Sequence, residues 1–350
     1  MFSNLRSLIF KLDPEKAHTL AIKSLKFNFV PSLFQNGEND SLFKTTLFSK
    51  DLKNPIGMAA GFDKNAEVYN QLFKLGFGFV EVGTITPLSQ YGNPKPRVFR
   101  LVEDEALINR LGFNNLGAEN VLDRIKRNSK TGILGINIGP NKESQNRLED
   151  YLSGLRTFYE FADYITINIS SPNTENLRNF HDQTRLDELL KEIKKEKKNL
   201  NSKISIVVKI APDINDDEIE KISEVLINNE VEAVIISNTS NTTREKLTNI
   251  QKHQKGGLSG KPIEDTSNLL INKFYKYLQN KIKIIGVGGV DSGMSAYNKF
   301  LAGAHYVQLY TGMVYKGPNI VNMIKNDLSK LLLNDGVKNF KEIIGNKSKS

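Results

Sequence analysis

The chain has 350 residues, 39% hydrophobic and 25% charged, the composition of a globular protein with a large core, in one α/β barrel or two ordinary domains. It has no cysteine, and its four histidines (His18, His181, His253, His305) lack metal-type spacing, which excludes disulfides, thiolate metal sites, a cysteine nucleophile and an iron–sulfur cluster bound by this chain. The formal charge is +9, but the lysines are scattered over solvated helical faces such as "KEIKKEKKN" (191–199), with no aromatic-interleaved basic strip, so nucleic acid is not an expected partner.

In chain order, "SNLRSLIFKLD" (3–13) sets Leu5, Leu8, Ile9 and Leu12 on one helical face. A second helix is expected from Asp13 as N-cap and Pro14 at N1, carrying Ala17, Leu20, Ala21 and Leu25 at helical spacing. Residues 1–30 hold Arg6, Lys11, Lys16, Lys23 and Lys26 against Asp13 and Glu15. This pair reads equally as a hairpin capping a core or as an amphipathic basic pair lying on an anionic membrane. There is neither a signal-peptide pattern nor an apolar run of bilayer-spanning length, so the expected compartment is the cytoplasm.

Strands are expected at 54–61, 78–85, 132–139, 164–171, 204–213, 231–240, 282–290 and 306–312, each a short run nearly continuous in apolar residues, as parallel strands covered on both faces require. Amphipathic helices separate most of them, for example 216–229 and 291–303. Eight βα units point to a (β/α)8 TIM barrel, an α/β fold, with a doubly wound sheet as the alternative. Polar residues recur at the C-terminal strand ends: Lys64, Thr84, Asn137, Asn168, Lys209, Asn238, Gly288–Gly289 and Tyr310–Thr311. That is the face on which such barrels build their sites.

Three motifs carry chemistry. "IIGVGGVDSG" (284–293) and "QLYTG" (308–312) end the seventh and eighth strands, where barrels commonly bind phosphate, and "GGLSG" (256–260) reads as a glycine loop able to close over it. Lys209, in "VVKIAPD", sits among apolar residues and needs an anionic partner. It is either satisfied by a neighbouring strand's carboxylate or placed to tune a flavin ring. Asn109, Asn114 and Asn115 in the loop "LINRLGFNN" (107–115), with Asn168, Asn173 and Asn238, offer paired donors and acceptors suited to a flat, amide-rich heterocycle, although asparagine is also ordinary turn chemistry. Lys64 suits a substrate carboxylate.

"LDPEKAH", "AAGFDK", "EVGTITP", "NPKPRVFRL", "INRLGFNNLG", "GINIG", "NISSPNT", "VKIAPD", "SNTS", "GGLSG", "IIGVGGV" and "QLYTG" follow one another in an order that resembles the class 2, quinone-linked dihydroorotate dehydrogenases, from about residue 6 to 316. The resemblance implies an FMN-containing (β/α)8 barrel over residues 43–340 and an N-terminal helical, membrane-associating segment over 1–42. The implied reaction is oxidation of dihydroorotate to orotate in pyrimidine biosynthesis, with electrons passed to ubiquinone or menaquinone, on a peripheral protein at the cytoplasmic side of the inner membrane. No metal and no obligate protein partner are implied. Class 1 relatives use a cysteine base and class 2 a serine, which matches Ser171, and the absence of cysteine independently rules out the first.

By the same resemblance Ala60, Gly61, Phe62, Asp63, Lys64, Thr84, Asn137, Asn168, Lys209, Ser237, Gly260, Gly289, Tyr310 and Thr311 contact FMN. Lys64, Asn109, Arg110, Leu111, Gly112, Phe113, Asn168, Asn173, Asn238 and Thr239 hold the substrate, while His18 and Arg100 lie near the inner end of a quinone tunnel between the N-terminal helices. Two departures from the family pattern are Glu175–Asn176, where Pro-Gly is usual, and Pro140, where a lysine is more typical. The alternatives are an FMN barrel that serves NAD or fumarate, a non-redox barrel for a sugar phosphate, and a membrane-tethered binding module.

Overall fold

The computed structural model describes residues 2–27, 41–242 and 244–348. Residues 28–40, the end of the expected N-terminal segment, lie outside that range. Two helices come first, α1 Phe2–Ile9 and α2 Pro14–Lys26. The Asp13 carboxylate accepts from the backbone N–H groups of Glu15 and Lys16 at 3.1 and 3.0 Å, so the expected cap forms. A small hairpin follows, β1 Thr45–Leu47 and β2 Lys50–Leu52, then β3 Ile56–Met58, β4 Phe79–Ile85, β5 Val98–Leu101 and β6 Ala106–Asn109. The remaining strands are β7 Ile133–Ile138, β8 Tyr164–Asn168, β9 Ser205–Lys209, β10 Ala233–Ile236, β11 Gly257–Gly260, β12 Lys283–Val287 and β13 Tyr306–Leu309.

β3, β4, β7, β8, β9, β10, β12 and β13 pair in parallel and close into a barrel with helices on the connections. All eight expected strands are present. The two-residue period decides what each strand position packs against. Outward residues such as Val80, Val82, Ile165, Ile167, Val208 and Val234 join the helices in the main core. Inward residues near the strand starts, Phe79, Ile133, Tyr164, Val207, Ile285 and Tyr306, fill the barrel beside Leu47 and Leu52 of the hairpin. Gly57 and Gly135 make room for this layer: a Cβ on either would lie 2.4 or 2.1 Å from the Phe79 or Tyr164 ring.

β11, β6 and β5 form a separate antiparallel sheet at the C-terminal mouth. "GGLSG" is therefore a strand rather than a loop, and the 107–115 segment begins as one. Glycines are weak strand formers, and β11 exists because β6 offers it a paired edge. This sheet also anchors the N-terminal helices. The Arg97 guanidinium reaches both Glu15 carboxylate oxygens at 3.1 and 2.6 Å, and Arg100 donates to the carbonyls of Phe10 and Leu12 at 2.8 Å each. Among the described residues no helix is long and apolar enough to cross a membrane.

Candidate active site

Above the apolar layer the inward positions turn polar. Glu81, in the middle of β4, is completely buried and accepts from Asn137 Nδ2 at 2.8 Å, the Tyr164 and Thr166 hydroxyls at 3.1 Å and Gln308 Nε2 at 3.2 Å. Four donors on one carboxylate satisfy a charge that would otherwise be prohibitive in a core. Lys209, at the end of β9, faces the same interior. Burial pushes its amine below the ordinary lysine range while the Glu81 charge opposes the shift, and among the described residues the ammonium makes no ion pair. The carboxylate expected beside it is present as a long-range charge only.

One step higher, Asn168 Nδ2 donates to Thr84 Oγ1 at 2.9 Å and to Asn137 Oδ1 at 3.2 Å, and its Oδ1 accepts from the Ser170 hydroxyl at 2.7 Å. Ser170 Oγ in turn accepts from Asn238 Nδ2 at 2.9 Å. The ends of β4, β7, β8 and β10 are thus cross-linked by neutral side chains. The loop after β8 leaves this network carrying Ser171, whose Oγ accepts from the Asn173 backbone N–H at 3.2 Å. Asn173 Nδ2 reaches the Asn109 carbonyl at 3.2 Å, joining that loop to the mouth sheet. From behind, Arg178 donates to the carbonyls of Ser170 (3.1 Å) and Thr239 (3.2 Å) and pairs with Asp213 at 2.9 Å.

These elements surround a cleft at the barrel mouth. Ala60, Gly61, Lys64, Thr84, Asn168, Lys209, Ser237, Gly260, Gly289, Tyr310 and Thr311 line it, as do Asn109, Leu111, Gly112, Phe113, Ser171, Asn173, Asn238 and Thr239. Lys64 Nζ donates to the Gly61 carbonyl at 2.6 Å, and burial brings its amine down to about 8.

Other expected contacts stand back from the cleft. Asn137 sits one layer below, behind Thr84 and Asn168. Asp63 caps the backbone N–H groups of Glu67 and Val68 at 2.7 Å each. Phe62 packs edge-on to Tyr310 and His18, with centroids 5.6 and 5.3 Å apart. Arg110 points away, donating to Gln254, Lys255 and Pro96 and lying 4.6 Å over the Phe99 ring. Asn109 and Leu111 on either side of it face the cleft because alternate residues of an extended segment point opposite ways.

His18 is held between Phe62 and Tyr310, its amine-like basicity pushed down to about 3 by burial. Arg100 is occupied in capping the end of α1. Glu81, Gln308, Ser170 and Arg178 were not singled out from sequence. An acid inside "FVEVGT" was the available signal for the first.

The residues present fit a ligand that is both phosphorylated and aromatic. Gly288 and Gly289 have φ of +117° and +79°, a turn only glycine makes freely and one that exposes backbone N–H groups. The Gln308 Oε1 atom is buried without a hydrogen-bond partner, Lys209 has a free ammonium, and paired amides face the same space.

The Dihydroorotate dehydrogenase family profile matches residues 42–332. Proteins named dihydroorotate dehydrogenase (quinone) from Bartonella tribocorum and Idiomarina loihiensis are each 46% identical to this chain. The matches cover 96% and 94% of this chain, and 94% and 100% of theirs. The crystal structure of DHODH in complex with ferulenol from Eimeria tenella has a TM-score of 0.92 at 35% identity, covering 97% of this chain and 96% of that one. Barrel, mouth and kinship agree: the chain belongs to the dihydroorotate dehydrogenase family.

Proposed function

We propose that this chain oxidises dihydroorotate to orotate in pyrimidine biosynthesis and passes the electrons to a membrane quinone, with Ser171 as the catalytic base. The observation that carries this reading is the placement of Ser171, on a loop pinned at both ends, at the wall of a cleft lined by Asn109, Asn173, Asn238, Lys64 and Lys209. The Gly288–Gly289 turn, Thr311, Asn168 and Lys209 would hold FMN, which would supply the hydride acceptor and the electron relay to the quinone.

The protein's own part follows from the geometry. Lys64, still mostly charged at neutral pH, holds the substrate carboxylate. Amide groups of Asn109, Asn173 and Asn238 hold the ring carbonyls and N–H groups without adding net charge. Ser171 Oγ takes the C5 proton while its own hydroxyl proton passes to a water or a hydrogen-bonded neighbour, so the oxygen ends neutral. A serine is a weak base, so the proton must leave as the substrate loses its hydride, and the Asn173 N–H at Ser171 Oγ favours the deprotonated oxygen. α1 and α2 present a basic, amphipathic surface, with Leu5 52%, Leu8 61% and Leu20 52% exposed, which supports residues 1–42 as a peripheral membrane contact and quinone entrance on the cytoplasmic side.

The test is turnover of dihydroorotate with a quinone analogue, followed by Ser171→Ala in stopped flow. The variant is expected to keep its flavin and to lose about 10²–10⁴-fold in the rate of flavin reduction. Reduction at the wild-type rate removes Ser171 from the role of base.

A further inference from the structure

Lys299 is a fully buried lysine that the reaction above leaves without a task. It lies on the helix Gly293–Ala302 and is 0% exposed. Its ammonium donates to Ser267 Oγ at 3.0 Å and Asn268 Oδ1 at 2.9 Å, both neutral. Among the described residues no carboxylate lies within ion-pairing distance of it, and the nearest acids, Glu264 and Asp265, act on it only through space. An unpaired cation in a core is costly, and burial brings this amine down to about 7; an anion placed nearby would hold the charge on it.

That anion has an obvious place. Ser267, while accepting from Lys299, donates to the Val287 carbonyl at 2.7 Å, the last residue of β12 before the Gly288–Gly289 turn. A Cβ built on Gly288 would lie 3.3 Å from Ser267 Oγ. The ammonium therefore stands one hydroxyl behind the turn, on the side away from the cleft. A dianion bound on the cleft side places the turn between opposite charges in a poorly screened interior, where attraction across several ångströms is worth kilocalories.

We propose that Lys299 is a positioning and specificity residue for the cofactor: through Ser267 and Val287 it fixes the phosphate turn, and its charge makes the site select a phosphorylated flavin over the same flavin without phosphate. The proposal rests on the flavin reading above. It assigns this lysine no contact with substrate or with the flavin ring.

The experiment titrates full-length apoprotein with FMN and, separately, with riboflavin at low salt, following flavin fluorescence. Wild type is expected to prefer FMN. Lys299→Met is expected to weaken FMN about tenfold or more while leaving riboflavin within about threefold, so that the preference collapses. Asn268→Asp keeps the lysine but sets a carboxylate on its ammonium, and is expected to produce the same selective loss even if Lys299→Met does not fold. Equal weakening of both flavins, or an unchanged FMN affinity in either variant, overturns the proposal. Wild-type protein that binds neither flavin overturns the cofactor reading itself.

Discussion

Glu81 and Lys209 both point into the barrel interior, one from the middle of β4 and one from the end of β9, and act on each other through space. Lys209 ends its strand in "VVKIAPD" and stands out as a cation at a barrel mouth. Glu81 lies between two valines, in a run whose hydrophobicity hides which residues point inward. Its four donors come from β7, β8 and β13, and no local pattern announces their arrival from three other strands. Histidines give the residue scale its clearest solution signature. His305 Nδ1 accepts from the Ile284 N–H at 3.1 Å, which places its hydrogen on Nε2, facing Asn280 Oδ1 at 3.0 Å. Burial holds this ring down to about 3 from an ordinary 6.5, and Lys283 adds to the shift. The unfolded chain therefore binds a proton below pH 6.5 that the folded chain refuses until about pH 3. Stability supplied by this group is complete above 6.5 and declines as the pH falls towards 3. Thermal unfolding across that window is expected to show the decline, with a shallower slope in His305→Asn.

Elements with their own cap, period or turn chemistry were readable: α2 from Asp13 and Pro14, and the eight barrel strands from their apolar runs. Elements that exist only because of a neighbour were not. β11 has two glycines in four residues and owes its conformation to β6, and β6 opens the 107–115 segment, whose glycine and asparagines read as a loop. The segment after β8 is an intermediate case. Asn176, which stands where relatives usually carry glycine, has φ of +54°, in the left-handed region that asparagine tolerates better than other non-glycine residues. The departure is thus conservative in backbone terms. Asn176→Val is expected to cost about 1–3 kcal/mol, measurable by denaturant unfolding, and to slow flavin reduction because Ser171 lies on the same loop. Asn176→Gly is expected to retain wild-type rates.

At the level of the whole molecule, the N-terminal helices are attached by polar and ring contacts together with Ile22 and Leu25 of α2, which are buried in the main core. Arg97 with Glu15, Arg100 with the end of α1, and the edge contact of Phe10 with Tyr315 at 5.4 Å carry much of the attachment. A chain beginning near residue 42 is therefore expected to stay folded and yellow while losing vesicle association and turnover with a long-chain quinone. Full turnover with such a quinone would refute the role given to these helices. The amphipathic pattern leaves a capping hairpin and a membrane contact evenly matched; in the structure the helices dock on the mouth sheet through the arginines, with Leu5, Leu8 and Leu20 exposed.

The apolar layer of Phe79, Tyr164 and Tyr306 under the β1–β2 hairpin has a kinetic meaning. It closes the barrel at the strand starts, and the cleft opens at the opposite, C-terminal mouth. If dihydroorotate and a quinone both react there, as proposed, the electrons have to wait inside between callers. Traffic of that kind obliges the enzyme to alternate between a charged and a discharged form, with each visitor meeting only the form left by the other.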